Sequence, residues 1–101
     1  MAVKHAEFDF LDDHTEQTTT RFVTFIGESM HRFDLAITTT ERFFGKKLVT
    51  DMQSGVTAII GPDDLEEEGY LEHVFRLNET AAGEMRAFLY PIVGNVNFTD
   101  I

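Results

Sequence analysis

The sequence predicts an α+β domain: an antiparallel sheet of four to five strands in meander order, covered on one face by a C-terminal helix. Three observations predict it. Residues 21–60 are rich in β-branched and aromatic side chains and alternate apolar with polar positions, the period of a half-buried strand. Turn signals interrupt that stretch at Ser29-Met30-His31, at Gly45 and at Ser54-Gly55. The last third carries apolar residues at helical spacing, and strands followed by helices is the order of this fold class.

The first strand is expected over Arg21–Glu28, with Phe22, Thr24 and Ile26 on one face and Val23 and Phe25 on the other. Arg32–Thr40 alternates most cleanly: Phe33, Leu35 and Ile37 against Asp34, Ala36 and Thr38. Gly45 then offers a bulge or a positive φ angle. Lys47–Gln53 resumes as a strand, Leu48 and Met52 facing one way and Val49 the other, and Ser54-Gly55 turns the chain into Val56–Ile60. One covering helix leaves the opposite sheet face to account for Val23, Phe25 and Val49. An uncovered apolar face of that kind is a route to dimerisation.

Beyond the strands, Pro62 cannot continue a ladder, and Asp64 is expected to cap a short helix with Glu67 three residues on, stopping near Gly69. Tyr70–Leu77 reads two ways. A helix would turn Leu71, Val74 and Phe75 inward; a strand would align His73, Phe75 and Leu77. The interruption at Gly69 and a fresh cap at Asn78 favour the strand. Glu79 to about Tyr90 is the clearest helix, striped by Ala81, Met85, Phe88, Leu89 and Ile92, and Pro91 disfavours helical backbone at Tyr90, so the helix ends or kinks there. The domain is thus expected over 21–94. Residues 1–20 form a flexible or loosely docked acidic segment and 95–101 a tail. Phe8, Phe10 and Leu11 are placed either docked at an edge or against a partner.

The chain is 101 residues long with a formal charge of −10. Residues 1–20 carry five acids and one Lys, residues 62–101 nine acids and two Arg, and residues 21–61 four acids and five bases. An acidic exterior repels phosphate backbones and anionic lipid, so neither nucleic acid nor membrane is the expected partner. Cysteine is absent, which excludes disulfides and thiolate chemistry and suits a reducing cytoplasm. The first residues show neither an apolar signal core nor a cleavage site, and no apolar run reaches a bilayer span of about 18–20 residues.

Chemistry-bearing motifs are few. His5, His14, His31 and His73 are scattered without metal-ligand spacing. The run Asp63-Asp64-Leu65-Glu66-Glu67-Glu68 lacks the alternating ligands and central Gly of a calcium loop and reads as a helix start. Neither Ser29 nor Ser54 lies in a nucleophile elbow, and the glycines never reach phosphate-loop spacing. Asp34 and Asp51 could face one another on neighbouring strands and raise one pKa. No catalytic residue, metal site or cofactor is predicted. The loop Arg42-Phe43-Phe44-Gly45-Lys46-Lys47 is the candidate site: adjacent aromatics flanked by Arg42, Lys46 and Lys47 can anchor a partner or an anion. The plainer account makes Phe43 and Phe44 core residues at a strand entrance and pairs the bases with the acidic flanks.

Thr20-Arg21-Phe22-Val23, Arg32-Phe33-Asp34-Leu35-Ala36-Ile37, Phe43-Phe44-Gly45-Lys46 and Tyr70-Leu71-Glu72-His73-Val74-Phe75 follow one another in an order that resembles a small family of uncharacterised Firmicutes proteins. The resemblance spans roughly residues 20–90 and leaves out the N-terminal segment and the tail. It implies a bacterial cytoplasmic protein and carries no activity, substrate or cofactor. The expected function is therefore protein association without catalysis, including self-association into a homo-oligomer with a protein partner unspecified. Small-ligand or anion binding at Arg42–Lys47 ranks second and an enzyme using strand carboxylates and a histidine third.

Overall fold

The computed structural model describes residues 7–94. β1 (Thr19–Ile26), β2 (Arg32–Thr39), β3 (Lys47–Asp51) and β4 (Val56–Ile60) form an antiparallel meander in the order β1-β2-β3-β4. α1 (Pro62–Glu66), α2 (Tyr70–Phe75) and α3 (Glu79–Leu89) follow, and Tyr90–Gly94 closes with a π-helical turn. The α+β class and the meander agree with the sequence reading.

The register sorts the side chains into two faces. Phe25 pairs with Phe33, Val23 with Leu35 and Arg21 with Ile37. Ile37 in turn pairs with Val49, and Val49 with Ala58. Since alternate residues share a face, Val23, Phe25, Phe33, Leu35, Ile37, Val49 and Ile60 all lie on the helix side. Leu65, Leu71, Met85 and Leu89 meet them there, each at most 1% exposed. Burying each such side chain is worth about 1.5–3 kcal/mol. The expectation that Val23, Phe25 and Val49 lie on the face opposite a single covering helix is therefore corrected: all three are on the helix side. Three helices share the covering, and α3 reaches the β1 side through Phe88, whose ring lies 4.4 Å from Phe25.

Two local assignments are corrected. Tyr70–Phe75 is helical, so the sheet has four strands and no fifth. Leu71 and Phe75, four apart, are buried on one face, and a strand would have put Leu71 and Val74 on opposite sides. Gly69, at φ 82°, does not stop a helix; it supplies the left-handed entry to α2. Arg76, also left-handed, ends it. The second correction concerns α1, whose N-cap is Gly61 with Pro62 in the first turn. Asp64 sits a turn inside, where its carboxylate accepts the Gly61 N–H at 2.8 Å. Asn78 caps α3 as expected, its side-chain oxygen accepting the Ala81 N–H at 2.7 Å. Tyr90 keeps helical dihedrals ahead of Pro91, and the coil changes there by widening into the π-turn, with no break.

Residues 7–18 have no regular structure, and β1 begins at Thr19, two residues earlier than expected. Phe8, Phe10 and Leu11 are exposed, Leu11 at 99%. The Glu16 carboxylate accepts from the hydroxyl of Thr40, a buried polar residue, and Arg42 Nη1 lies 2.9 Å from His14 Nε2.

Candidate association surface

The face turned away from the helices is built in rows. Thr20, Thr38, Leu48 and Ile59 align across the four strands. Phe22, Ala36, Thr50 and Thr57 form the next row, then Thr24 beside Asp34 with Met52, and finally Ile26 beside Arg32. Threonine pairs are bonded across strands, Thr20 to Thr38 at 2.8 Å and Thr50 to Thr57 at 2.7 Å. Their hydroxyls thus satisfy each other across the strands. Phe22 is 70% exposed, and Ile26 and Met52 are more than half exposed.

The face is close to electrically neutral. Its acid, Asp34, accepts from the Thr24 hydroxyl and from Arg32 Nε at 3.2 Å. The Thr24 hydrogen bond, opposed by partial desolvation and aided by the Arg32 charge, holds the Asp34 carboxyl below its ordinary value. Phe22, Thr24, Asp34 and Met52 border a shallow hollow of about 260 Å³. Asp51 does not join Asp34: it pairs with Leu35, so the two carboxylates lie on opposite faces. Asp51 instead serves the β3–β4 turn, accepting from Gln53 N–H at 3.1 Å and Ser54 Oγ at 3.0 Å. No carboxylate pair exists there to divide acid and base roles.

The loop predicted as a site is dispersed. Arg42 reaches His14, and Lys47 Nζ donates to Thr39 at 3.2 Å. Lys46 Nζ lies 3.2 Å from Asp64 and 3.7 Å from Asp63, its pKa raised first by the Asp64 hydrogen bond. Phe43 is half-buried. Phe44, at φ 52°, projects into solvent at 97% exposure. The charges of Arg42, Lys46 and Lys47 thus point to three different partners and do not converge on one point.

On the helix side, Glu66, Glu67, Glu68, Glu72 and Glu79 surround Arg86 at a cleft of about 410 Å³. Arg86 Nε donates to the Leu65 carbonyl at 2.9 Å and Nη2 lies 3.9 Å from Glu72. That arginine ties α3 to α1 and offsets part of the local negative charge. Among the described residues no three His, Asp or Glu side chains are grouped to hold a metal ion. His31 packs on Phe33 at 4.4 Å and His73 is exposed. Among the described residues no helix is long and apolar enough to cross a membrane.

The family model described as SAV0927-like matches residues 11–91. The chain belongs to the SAV0927-like family. The match takes in the whole of β1–α3, and it starts inside the N-terminal segment that the sequence reading had left outside the resemblance. The SAV0927-like chain has no match among curated proteins. What sequence reasoning missed in it is the exposed row through Phe22. Alternation on β1 separated Phe22 from Val23, but no local signal stated which of the two would be covered.

Proposed function

We propose that this chain is a non-enzymatic protein-association domain that associates with itself where the uncovered side of the sheet presents Phe22 on its outermost strand. One observation carries the reading. A molecule of charge −10 exposes Phe22, Ile26 and Met52 on a sheet face whose acid is already bonded to Thr24 and Arg32. Two acidic copies approach there against less charge repulsion than on the glutamate-lined helix side. Phe8, Phe10 and Leu11 on the N-terminal arm add further unpartnered apolar surface. The absence of cysteine supports a reducing cytoplasm, and the family resemblance supports a Firmicutes host.

Light scattering across the micromolar range tests this. The wild type is expected to gain mass with concentration, and Phe22→Asp to stay monomeric with a melting temperature close to wild type, because Phe22 contributes little to the core. A wild type that remains monomeric throughout removes the reading.

A second reading is favoured by Phe44, an aromatic ring held in solvent on left-handed backbone beside Arg42. Here the Arg42–Lys47 loop anchors a small anion or a partner. Inorganic phosphate should then raise the melting temperature, and Arg42→Ala should remove the rise. No shift with phosphate removes the anion form of this reading.

A further inference from the structure

β1 is an edge strand with an unusually open outer side, and its backbone polarity follows from two bonds. The Gly27 N–H donates to the His31 carbonyl at 3.0 Å, and the Met52 N–H to the Asp34 carbonyl at 2.8 Å. In an antiparallel ladder, bonding residues alternate. Residues 33, 35 and 37 of β2 therefore bond to 25, 23 and 21 of β1, while 34, 36 and 38 bond to β3. This leaves Thr20, Phe22, Thr24 and Ile26 aiming their N–H and C=O groups away from the sheet. Among the described residues nothing pairs with that edge.

Edge strands are normally blunted by Pro, Lys, bulges or shortness. β1 has eight residues, runs in unbroken register from Thr19 to Ile26, and contains no Pro, Lys, Asp or Glu. Its charge, Arg21, is turned to the helix side, where the guanidinium sits 5.6 Å from the Phe88 ring centre. The other edge, β4, is shorter and offers Thr57 and Ile59 at the equivalent outward positions.

Resting on the self-association reading, we propose that a second copy of this chain adds to the sheet at the outer edge of β1, antiparallel, with the two-fold axis at Val23. This register is self-complementary. Phe22 stands opposite the second copy's Thr24, and Thr20 opposite its Ile26, so every outward-facing N–H and C=O from Thr20 to Ile26 is paired. Arg21 falls opposite the second copy's Phe25, well away from the second copy's Arg21. The two Phe22 rings become diagonal neighbours on the open face, within aromatic reach. The outcome is one continuous sheet through both copies, with a closed, isologous contact.

The natural chain has no cysteine, so Val23→Cys introduces a unique thiol on the proposed axis. Cα atoms of a non-hydrogen-bonded antiparallel pair lie about 4.5 Å apart, inside disulfide range. Mild oxidation should cross-link Val23→Cys at least about tenfold faster than Thr57→Cys on β4. In parallel, Thr24→Pro removes an outward N–H without touching the β1–β2 ladder and should weaken association at least about tenfold, whereas Thr24→Ala, which keeps the N–H, should stay within about threefold. Circular dichroism checks that Thr24→Pro is folded; if it is not, the cysteine comparison decides alone. Dimer by light scattering with no preferential Val23→Cys cross-link overturns the edge pairing and leaves self-association standing. Equal cross-linking of Thr57→Cys points to a β4–β4 contact, and growth into long oligomers to head-to-tail β1–β4 contacts; either overturns it. Monomer at every concentration removes both.

Discussion

The two faces of this sheet are made from the same four strands, yet they differ in what their apolar residues do. On the helix side Leu35, Ile37 and Val49 are nearly inaccessible and touch α-helical side chains. One residue away along each strand, Phe22, Leu48 and Ile59 keep much of their surface in water or against threonine neighbours. A side chain's worth here is set largely by which face it occupies, and the inner face supplies most of the burial that drives folding. The outer face holds its polar groups in pairs and its apolar groups in reserve.

The largest expected effect tests that contrast directly. Leu35→Ala should cost about 2–5 kcal/mol in urea unfolding, and Phe22→Ala within about 1 kcal/mol, because the first leaves a cavity and the second does not. Equal losses would erase the distinction between the faces. Next is Gly27→Ala at the β1–β2 turn. A Cβ there would collide with the Glu84 carboxylate, which accepts from Ser29 N–H and Ser29 Oγ, both at 2.8 Å. Displacing it unfastens the hairpin from α3 and should cost about 1–3 kcal/mol, read from the unfolding midpoint. Removing the α3 cap with Asn78→Ala should cost about 1 kcal/mol and weaken the covering layer while leaving the open face unchanged. The smallest effect belongs to the outer face. Asp34 should titrate below 3.8 by carboxyl NMR, and Thr24→Val should move the midpoint up. A depressed folded pKa contributes stability above the ordinary value that is lost as pH falls through the folded one. An Asp34 midpoint unmoved by Thr24→Val would break the account of this pair.

Much of the fold was legible because period-two alternation and turn residues agree at each strand, and because the α3 stripe and its Asn78 cap agree with each other. Three features were not. Tyr70–Phe75 is too short for periodicity to separate helix from strand, and Gly69 reads equally as an interruption or a left-handed helix entry. Alternation divides Phe22 from Val23 but does not state which side the helices will cover, since that depends on residues forty or more positions away. For Arg42–Lys47 the plainer account, bases paired with the acidic flanks, describes Lys46 on Asp64, but the sequence does not name the partners, and Arg42 beside His14 is visible only in three dimensions. The acidic run, by contrast, was read correctly as a helix start, with the cap misplaced by three residues.

The methylene chain of Lys46 crosses directly above Gly61, close enough that an alanine methyl there would press on it, before its amine reaches Asp63 and Asp64. The Asp64 hydrogen bond and the two nearby carboxylates hold the pKa of that nitrogen above its ordinary value, so a smaller fraction carries the free lone pair that acylating reagents require. Amine footprinting of the native protein should therefore spare Lys46, and its reactivity on mild denaturation would report when the β4–α1 junction comes apart.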